Sequence, residues 1–291
     1  MQDLIIDFGN GFTLNLSKPR WQEQGLRAGV FGSVGSGKSY CLNVFLEELL
    51  HLNVSTLVID PEGEYISLKE LAPHQVVIVG HRGDLRHSEM ELAFGHLDSG
   101  KMVIVNMNRL PDEAKLALYC EVVGQLVSRQ QIKRERDKAE AVLLVVEEAS
   151  LFAPKSRVKN DMALDLTVKV VQGRKHGIHA CFVVQQPGIL HPAVLSQFNM
   201  HMIGRLEDHI DFNAIKSILP FQFLNRANQM GKMTLAALME LETGEFFLRI
   251  GPDFHRLKKV RARQARDLSR TPALSVKPQK QLELIKPVSG C

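Results

Sequence analysis

Between residues 26 and 250 the chain alternates short apolar runs with longer stretches in which apolar residues recur every third or fourth position. That alternation predicts strand-helix-strand units and an α/β fold with a mainly parallel sheet covered on both faces. Strands are predicted at residues 26–31, 55–60, 75–80, 101–106, 141–147, 179–186, 200–206 and 245–250. Several are unbroken apolar runs, VLLVV the clearest, as strands buried on both faces should be. Segment 111–138 opens with Pro-Asp-Glu and sets Leu116, Tyr119, Cys120, Val123, Leu126 and Val127 at helical spacing, which predicts an amphipathic helix. Its charged end, SRQQIKRERDK, reads as a solvated helix end or as a projection toward DNA or another subunit. Ahead of the sheet, LIIDFG and FTLNL predict a β-hairpin turning through Gly9, Asn10 and Gly11. Beyond residue 255 the pattern fades into basic, proline-containing sequence, which predicts an extended tail, mobile or laid on a neighbouring subunit. The chain divides accordingly into a hairpin segment (1–24), one large α/β domain (25–255) and the tail (256–291).

Composition narrows the class without deciding the function. A chain of 291 residues with 45% hydrophobic content can bury a sizeable core. No apolar run approaches the roughly 20 residues that span a bilayer. The start, MQDLIIDFGN, lacks the basic region and cleavage site of a secretion signal, so a cytoplasmic protein without a membrane partner is expected. The four cysteines show no CxxC spacing and the eleven histidines no HExxH, which suggests neither zinc nor disulfides. A net charge of +4 and a pI of about 8.8 permit a nucleic-acid partner without demanding one.

One stretch changes the picture. GSVGSGKS fits Gly-x-x-x-x-Gly-Lys-Ser in full, with strand AGVF before it and helix KSYCLNVFLEELL after it. Glycines at those positions let successive N–H groups and the helix N-terminus point at phosphates. Gly32, Ser33, Val34, Gly35, Ser36, Gly37, Lys38, Ser39 and Tyr40 are therefore the candidate nucleotide-binding residues. Lys38 would reach the β- and γ-phosphates of ATP, and Ser39 would ligate Mg²⁺. Further along, AVLLVVEEAS brings an apolar strand out at Glu147 and Glu148. Glu147 is placed for the metal side and Glu148 for orienting and deprotonating the attacking water. DPEGEY follows the strand at 55–60; a turn accounts for Asp60, Pro61 and Gly63, and Glu62 or Glu64 either faces solvent or contacts nucleotide or a neighbour. In VQGRKHGIHACFVVQQP, Gln185 suits a γ-phosphate sensor or is an ordinary polar strand end. Arg174 suits an arginine finger toward the next subunit or is a helix C-terminal cation.

GSVGSGKS, VIDPEGEY, LLVVEEAS, GRKHGIHACFVVQQP, VLSQFNMHMIGRL and GEFFLRI, in that order over residues 25 to 250, resemble the motifs of the HerA/FtsK superfamily of P-loop ATPases, and of its HerA branch most closely. The resemblance implies a RecA-like core, assembly into a homohexamer, and ATP hydrolysis at subunit interfaces coupled to moving double-stranded DNA through a central channel. By motif position it assigns Glu148 as catalytic base, Glu147 as metal-side acid, Gln185 as sensor and Arg174 as arginine finger. Arg205 matches a recurrent family arginine that faces a nucleotide, and an ion pair with Glu207 or Asp208 accounts for it equally. This chain departs from the family pattern at Glu147, where Asp is usual, and at Gln186, where Arg commonly follows the sensor. It also has only a hairpin where HerA has an N-terminal barrel.

The leading expectation is an ATP-driven translocase of double-stranded DNA, with loops 81–87 and 155–159 as candidate channel contacts. A nucleotide-dependent ring that controls a nuclease or other effector is the alternative. A small-molecule kinase fits less well, because the Glu147-Glu148 pair and the late Gln185 strand belong to hydrolysing enzymes.

Overall fold

The computed structural model describes residues 3–157, 161–219, 234–251 and 253–268. Its strands are β1 (Ile5–Gly9), β2 (Phe12–Asn15), β3 (Arg27–Phe31), β4 (Thr56–Asp60), β5 (Val76–Gly80), β6 (Met102–Asn106), β7 (Val142–Val146), β8 (Ile178–Val184), β9 (Met200–Ile203), β10 (Phe246–Ile250) and β11 (Asp253–Leu257). The α-helices are α1 (Pro19–Gln24), α2 (Lys38–His51), α3 (Leu68–Leu71), α4 (Met90–Asp98), α5 (Asp112–Glu135), α6 (Ala149–Phe152), α7 (Met162–Val171), α8 (Pro192–Leu195), α9 (His209–Ile218) and α10 (Leu235–Met239).

Each predicted strand forms, shifted by no more than a few residues, and one sheet of nine strands runs β11-β10-β9-β3-β8-β7-β4-β6-β5. From β9 to β5 neighbouring strands pair parallel, while β10 and β11 close one side antiparallel. Side chains along a strand alternate between faces, and the two cores follow that alternation. Leu144 and Val146 of β7 point with Phe182 and Val184 of β8 into the core under α4, α5 and α7. Leu143, Val145, Cys181 and Val183 point into the core under α2 and the hairpin. The continuous apolar runs are thus two interleaved half-faces, one for each side of the sheet.

The hairpin turns through Asn10 and Gly11 with positive φ at both, the combination a tight two-residue hairpin requires. Phe8 stacks on Phe45 of α2 with 6.1 Å between ring centroids, so the hairpin roofs the second core. The predicted helix 111–138 forms as α5 and buries Tyr119, Val123, Leu126 and Val127 as its spacing requires. At the start of its charged end Arg129 and Lys133 pair with Asp98 of α4 at 3.0 and 2.6 Å, and residues 134–138 are exposed, a solvated helix end.

Residues 256–268 differ from the expectation for the tail. They begin with the end of β11 and then lie along α2 of their own chain, burying Val260 and Ala265. The strand pairing is with β10, and few large apolar residues are needed because the anchors are polar. Residues 269–291 lie outside the described residues. No helix among the described residues is long and apolar enough to cross a membrane.

Candidate nucleotide site

Parallel strands bring their C-terminal ends to one edge of the sheet, and four adjacent ends assemble the site. β3 delivers the glycine loop, β8 delivers Gln185, β7 delivers Glu147 and Glu148, and β4 delivers the DPEGEY turn.

The loop is a rigid piece because its neighbours claim its carbonyls. The Lys38 ammonium donates to the Ser33 carbonyl at 3.0 Å, Thr243 Oγ1 to the Gly35 carbonyl at 2.8 Å, and the Gly244 amide to the Ser36 carbonyl at 3.0 Å. Gly37 caps α2 in the left-handed region, and a Cβ there would stand 2.8 Å from the Gly244 nitrogen, so only glycine fits. The first-turn amides of α2 have no partner within the helix and point where phosphates would lie. Tyr40 is turned differently from its neighbours. Its hydroxyl accepts from the Arg263 amide at 2.9 Å and its ring lies under the Arg263 guanidinium, so its side chain serves the C-terminal segment.

Lys38 is almost wholly buried. Burial holds its ammonium below the ordinary lysine range, while the charges of Glu147, Glu148 and Glu64 oppose that effect. It is thus the counter-ion of an acidic cluster. Glu147, 2% exposed, receives a hydrogen bond from the Tyr65 hydroxyl at 2.7 Å and faces the Ser39 hydroxyl at 3.5 Å. Burial pushes its carboxyl up to about 8, the Tyr65 bond pulls down, and Glu64, Glu148 and Asp60 add repulsion. Ser39 and Glu147 side by side are hard oxygen donors of the kind Mg²⁺ takes.

Glu148 occupies the left-handed region at φ 48 and ψ 48, unusual for a residue with a side chain. The turn aims its carboxylate at the Gln185 side-chain amide, which donates to it. Burial raises the carboxyl above its ordinary range and Lys38 counters part of the rise, which suits a group that must take up a proton.

Arg205 lies beside the glycine loop of its own chain: its carbonyl accepts from the Ser33 amide at 2.8 Å and its guanidinium pairs with Glu207 at 3.2 Å. Of the two acids offered by the sequence, Glu207 is the partner, while Asp208 caps α9. Arg174 lies elsewhere. It precedes β8, and with β8 parallel to β3 it stands at the opposite edge of the sheet from the glycine loop, donating to the Glu23 carbonyl at 2.6 Å. Seven strand residues separate the two edges, roughly 20 Å of chain. Gln186 does not enter the cluster through any hydrogen bond of its side chain among the described residues; its carbonyl accepts from the Ile189 amide.

Tyr65, Thr243 and Gly244 were not read from the sequence as participants: Tyr65 orients Glu147, and Thr243 and Gly244, just before β10, brace the loop. Asp60 accepts the amides of Gly63, Glu64 and Tyr65 at 2.8 to 3.1 Å and so shapes the turn expected there. Tyr65 belonged to a motif quoted for its carboxylates, and nothing local marks a Thr-Gly pair as a brace for a loop some 200 residues earlier. Glu62 resolves as an outward group paired with Lys115 at 2.9 Å. The 81–87 loop sits on the same edge of the sheet beyond the outermost strand, β5. In the other candidate channel loop, Lys155 donates its amide to the Ile189 carbonyl, and Val158 and Lys159 lie outside the described residues.

Residues 26–121 match the family model described as the central domain of helicase HerA. A probable helicase of Methanocaldococcus jannaschii is 28% identical over 156 residues, 51% of this chain and 28% of that protein. A probable DNA double-strand break repair helicase HerA of the same organism is 34% identical over 105 residues, 36% of this chain and 19% of that protein. The chain thus spans under a third of either relative. Among solved structures, VirB4 of Thermoanaerobacter pseudethanolicus is similar with a TM-score of 0.58 at 16% identity, covering 89% of this chain and 96% of that one. The genome packaging NTPase B204 of Sulfolobus turreted icosahedral virus 2, solved with AMP, gives 0.53 at 15% identity, covering 80% and 96%. At those identities the two structures speak to fold alone.

Proposed function

We propose that the chain is a HerA/FtsK-type P-loop ATPase that hydrolyses ATP and, as a homohexameric ring, uses the energy to move double-stranded DNA. The observation that carries the hydrolytic part is Glu148. A carboxylate locked in an uncommon backbone conformation, hydrogen-bonded to Gln185 and facing Lys38, is built to hold and deprotonate a water beside a γ-phosphate. Mg²⁺ bound with the nucleotide would neutralise charge developing on the phosphates. Ser39 and Glu147 are the residues to hold it. Lys38 exchanges its carboxylate neighbours for phosphate oxygens when nucleotide enters, and Gln185 is placed to report that exchange along β8.

The DNA part rests on the family and on the relatives described as helicases. A translocase needs only backbone phosphate contacts, so the absence of a base-reading motif in the sequence is no obstacle. Arg174, remote from its own nucleotide, is assigned to the site of the neighbouring subunit.

The test is steady-state ATP hydrolysis with and without long double-stranded DNA at two salt concentrations, with the Glu148→Gln protein as blank. Stimulation by DNA that weakens with salt is expected. Robust hydrolysis indifferent to DNA would replace the motor with a ring that controls an effector protein such as a nuclease.

A further inference from the structure

The acidic cluster is unevenly satisfied. Asp60 accepts three backbone amides, Glu147 has the hydroxyls of Tyr65 and Ser39, and Glu148 has the Gln185 amide. Glu64 has none of these. Its Oε2 is withdrawn from solvent and has no hydrogen-bond donor among the described residues. Yet its charge reaches into the site, opposing the loss of the proton from Lys38 and repelling those of Glu147 and Glu148.

The turn puts it there deliberately. Asp60 folds the chain back through Gly63, whose φ of 76° belongs to the left-handed region and whose missing Cβ would crowd Asn106 Oδ1 at 3.1 Å. Tyr65 is thereby brought under Glu147, with Glu64 beside it. Glu62, two residues away, is by contrast exposed and paired with Lys115.

A buried acceptor without a donor is costly, and such an atom in a native protein calls for a missing partner. Among the described residues Lys38 is the cation facing the carboxylates of Glu147, Glu148 and Glu64, so a further partner must bring positive charge or polarised O–H donors. Mg²⁺ keeps several of its waters when it binds with a nucleotide, and those waters are strong donors. We propose that Glu64 is a further residue of the nucleotide site, a positioning carboxylate that accepts hydrogen bonds from the hydration shell of the metal held by Ser39 and Glu147. This rests on reading the cluster as a magnesium-nucleotide site. Its role is to orient those waters, and so to fix the metal against the phosphates.

The experiment uses Mn²⁺ as the probe with a non-hydrolysable ATP analogue. Analogue affinity is measured in EDTA and with Mn²⁺, and bound Mn²⁺ is followed by electron paramagnetic resonance. Outer-shell partners of a metal typically contribute tenfold to a hundredfold in metal affinity. Glu64→Gln, nearly isosteric and leaving the turn amides untouched, is expected to lose about tenfold of the Mn²⁺-dependent gain, each variant's gain being measured against its own affinity in EDTA. Glu64→Asp, which keeps the charge but withdraws it by one methylene, should fall between, and Glu62→Gln should match wild type. An unchanged gain in both Glu64 variants, while Ser39→Ala loses it, overturns the role of Glu64 alone. An unchanged gain in Ser39→Ala as well overturns the magnesium-nucleotide reading and the inference with it.

Discussion

Glu148 shows how a single backbone conformation is turned to use. Ending β7 with a left-handed residue costs on the order of 1–3 kcal/mol, and glycine would avoid the cost. The chain retains glutamate there because the same turn carries its carboxylate out of the strand direction and onto Gln185. Glu148→Gln preserves shape and removes the proposed proton acceptor. ATP binding by the variant should stay within a few-fold of wild type while turnover falls roughly a hundredfold or more. Equilibrium binding and single-turnover hydrolysis on one preparation separate the two effects, and near-normal turnover would put the base on another residue. At this scale the sequence was legible where a motif constrains spacing: Lys38, Ser39, Glu147, Glu148 and Gln185 converge as their motifs imply. Tyr65 and Thr243 were obscure because each acts through a contact whose partner is distant in sequence, and hydrogen-bond partners across a sheet leave no periodic trace.

Among the elements, the segment after β11 departs most from what its composition suggests. Runs of Arg and Lys with few apolar residues look unanchored, yet Arg261 reaches Glu47 and Glu48 of α2 at 2.9 and 2.8 Å. Two further amides, those of Gln264 and Ala265, donate to the same fully buried Glu47. The charge pattern of the segment is complementary to one acidic stripe on α2, which a reading of either piece alone does not reveal. Arg261 also ties the hairpin in, its amide donating to the Phe8 carbonyl at 2.7 Å. Because α2 begins with Lys38 and Ser39, this strap holds the helix on which the phosphate site is built. Removing Arg261 leaves Glu47 buried with its amides but without its cation, so Arg261→Ala should destabilise the protein by about 3 kcal/mol. Urea unfolding gives the value, and adding Glu47→Gln should recover part of the loss. If Arg261→Ala unfolds with the wild-type midpoint, the strap is not a stabilising element. The strands from β3 to β10, by contrast, were legible to within a few residues, since burial on both faces leaves short unbroken apolar runs, whereas the mostly exposed β11 was not read as a strand.

At the level of the whole molecule, the parallel sheet separates two functional groups by its full width. The glycine loop, Glu147, Glu148 and Gln185 occupy one edge, and Arg174 the other. A subunit cannot bring its own Arg174 to its own nucleotide without dismantling β8. If Arg174 serves the neighbouring site as proposed, two different patches meet in a heterologous contact, and such contacts either close into rings or run on as filaments. Arg174 lowers the affinity of the half-buried Arg27 for its proton, secondary to burial, and the Arg174 guanidinium is occupied by a backbone carbonyl instead of a carboxylate. Its positive charge is therefore available to phosphates presented by a neighbour. Complementation tests this. Arg174→Ala subunits keep an intact glycine loop, and Lys38→Ala subunits keep an intact Arg174. Each protein alone should be nearly inactive, whereas mixed rings should regain hydrolysis at those interfaces where an intact loop meets an intact arginine. Native mass spectrometry establishes that the two subunits co-assemble, and turnover is then read against the mixing ratio. Activity that rises and falls with that ratio places Arg174 in the neighbouring site. Co-assembly without any recovery removes Arg174 from catalysis altogether, because the architecture offers it no role at its own nucleotide.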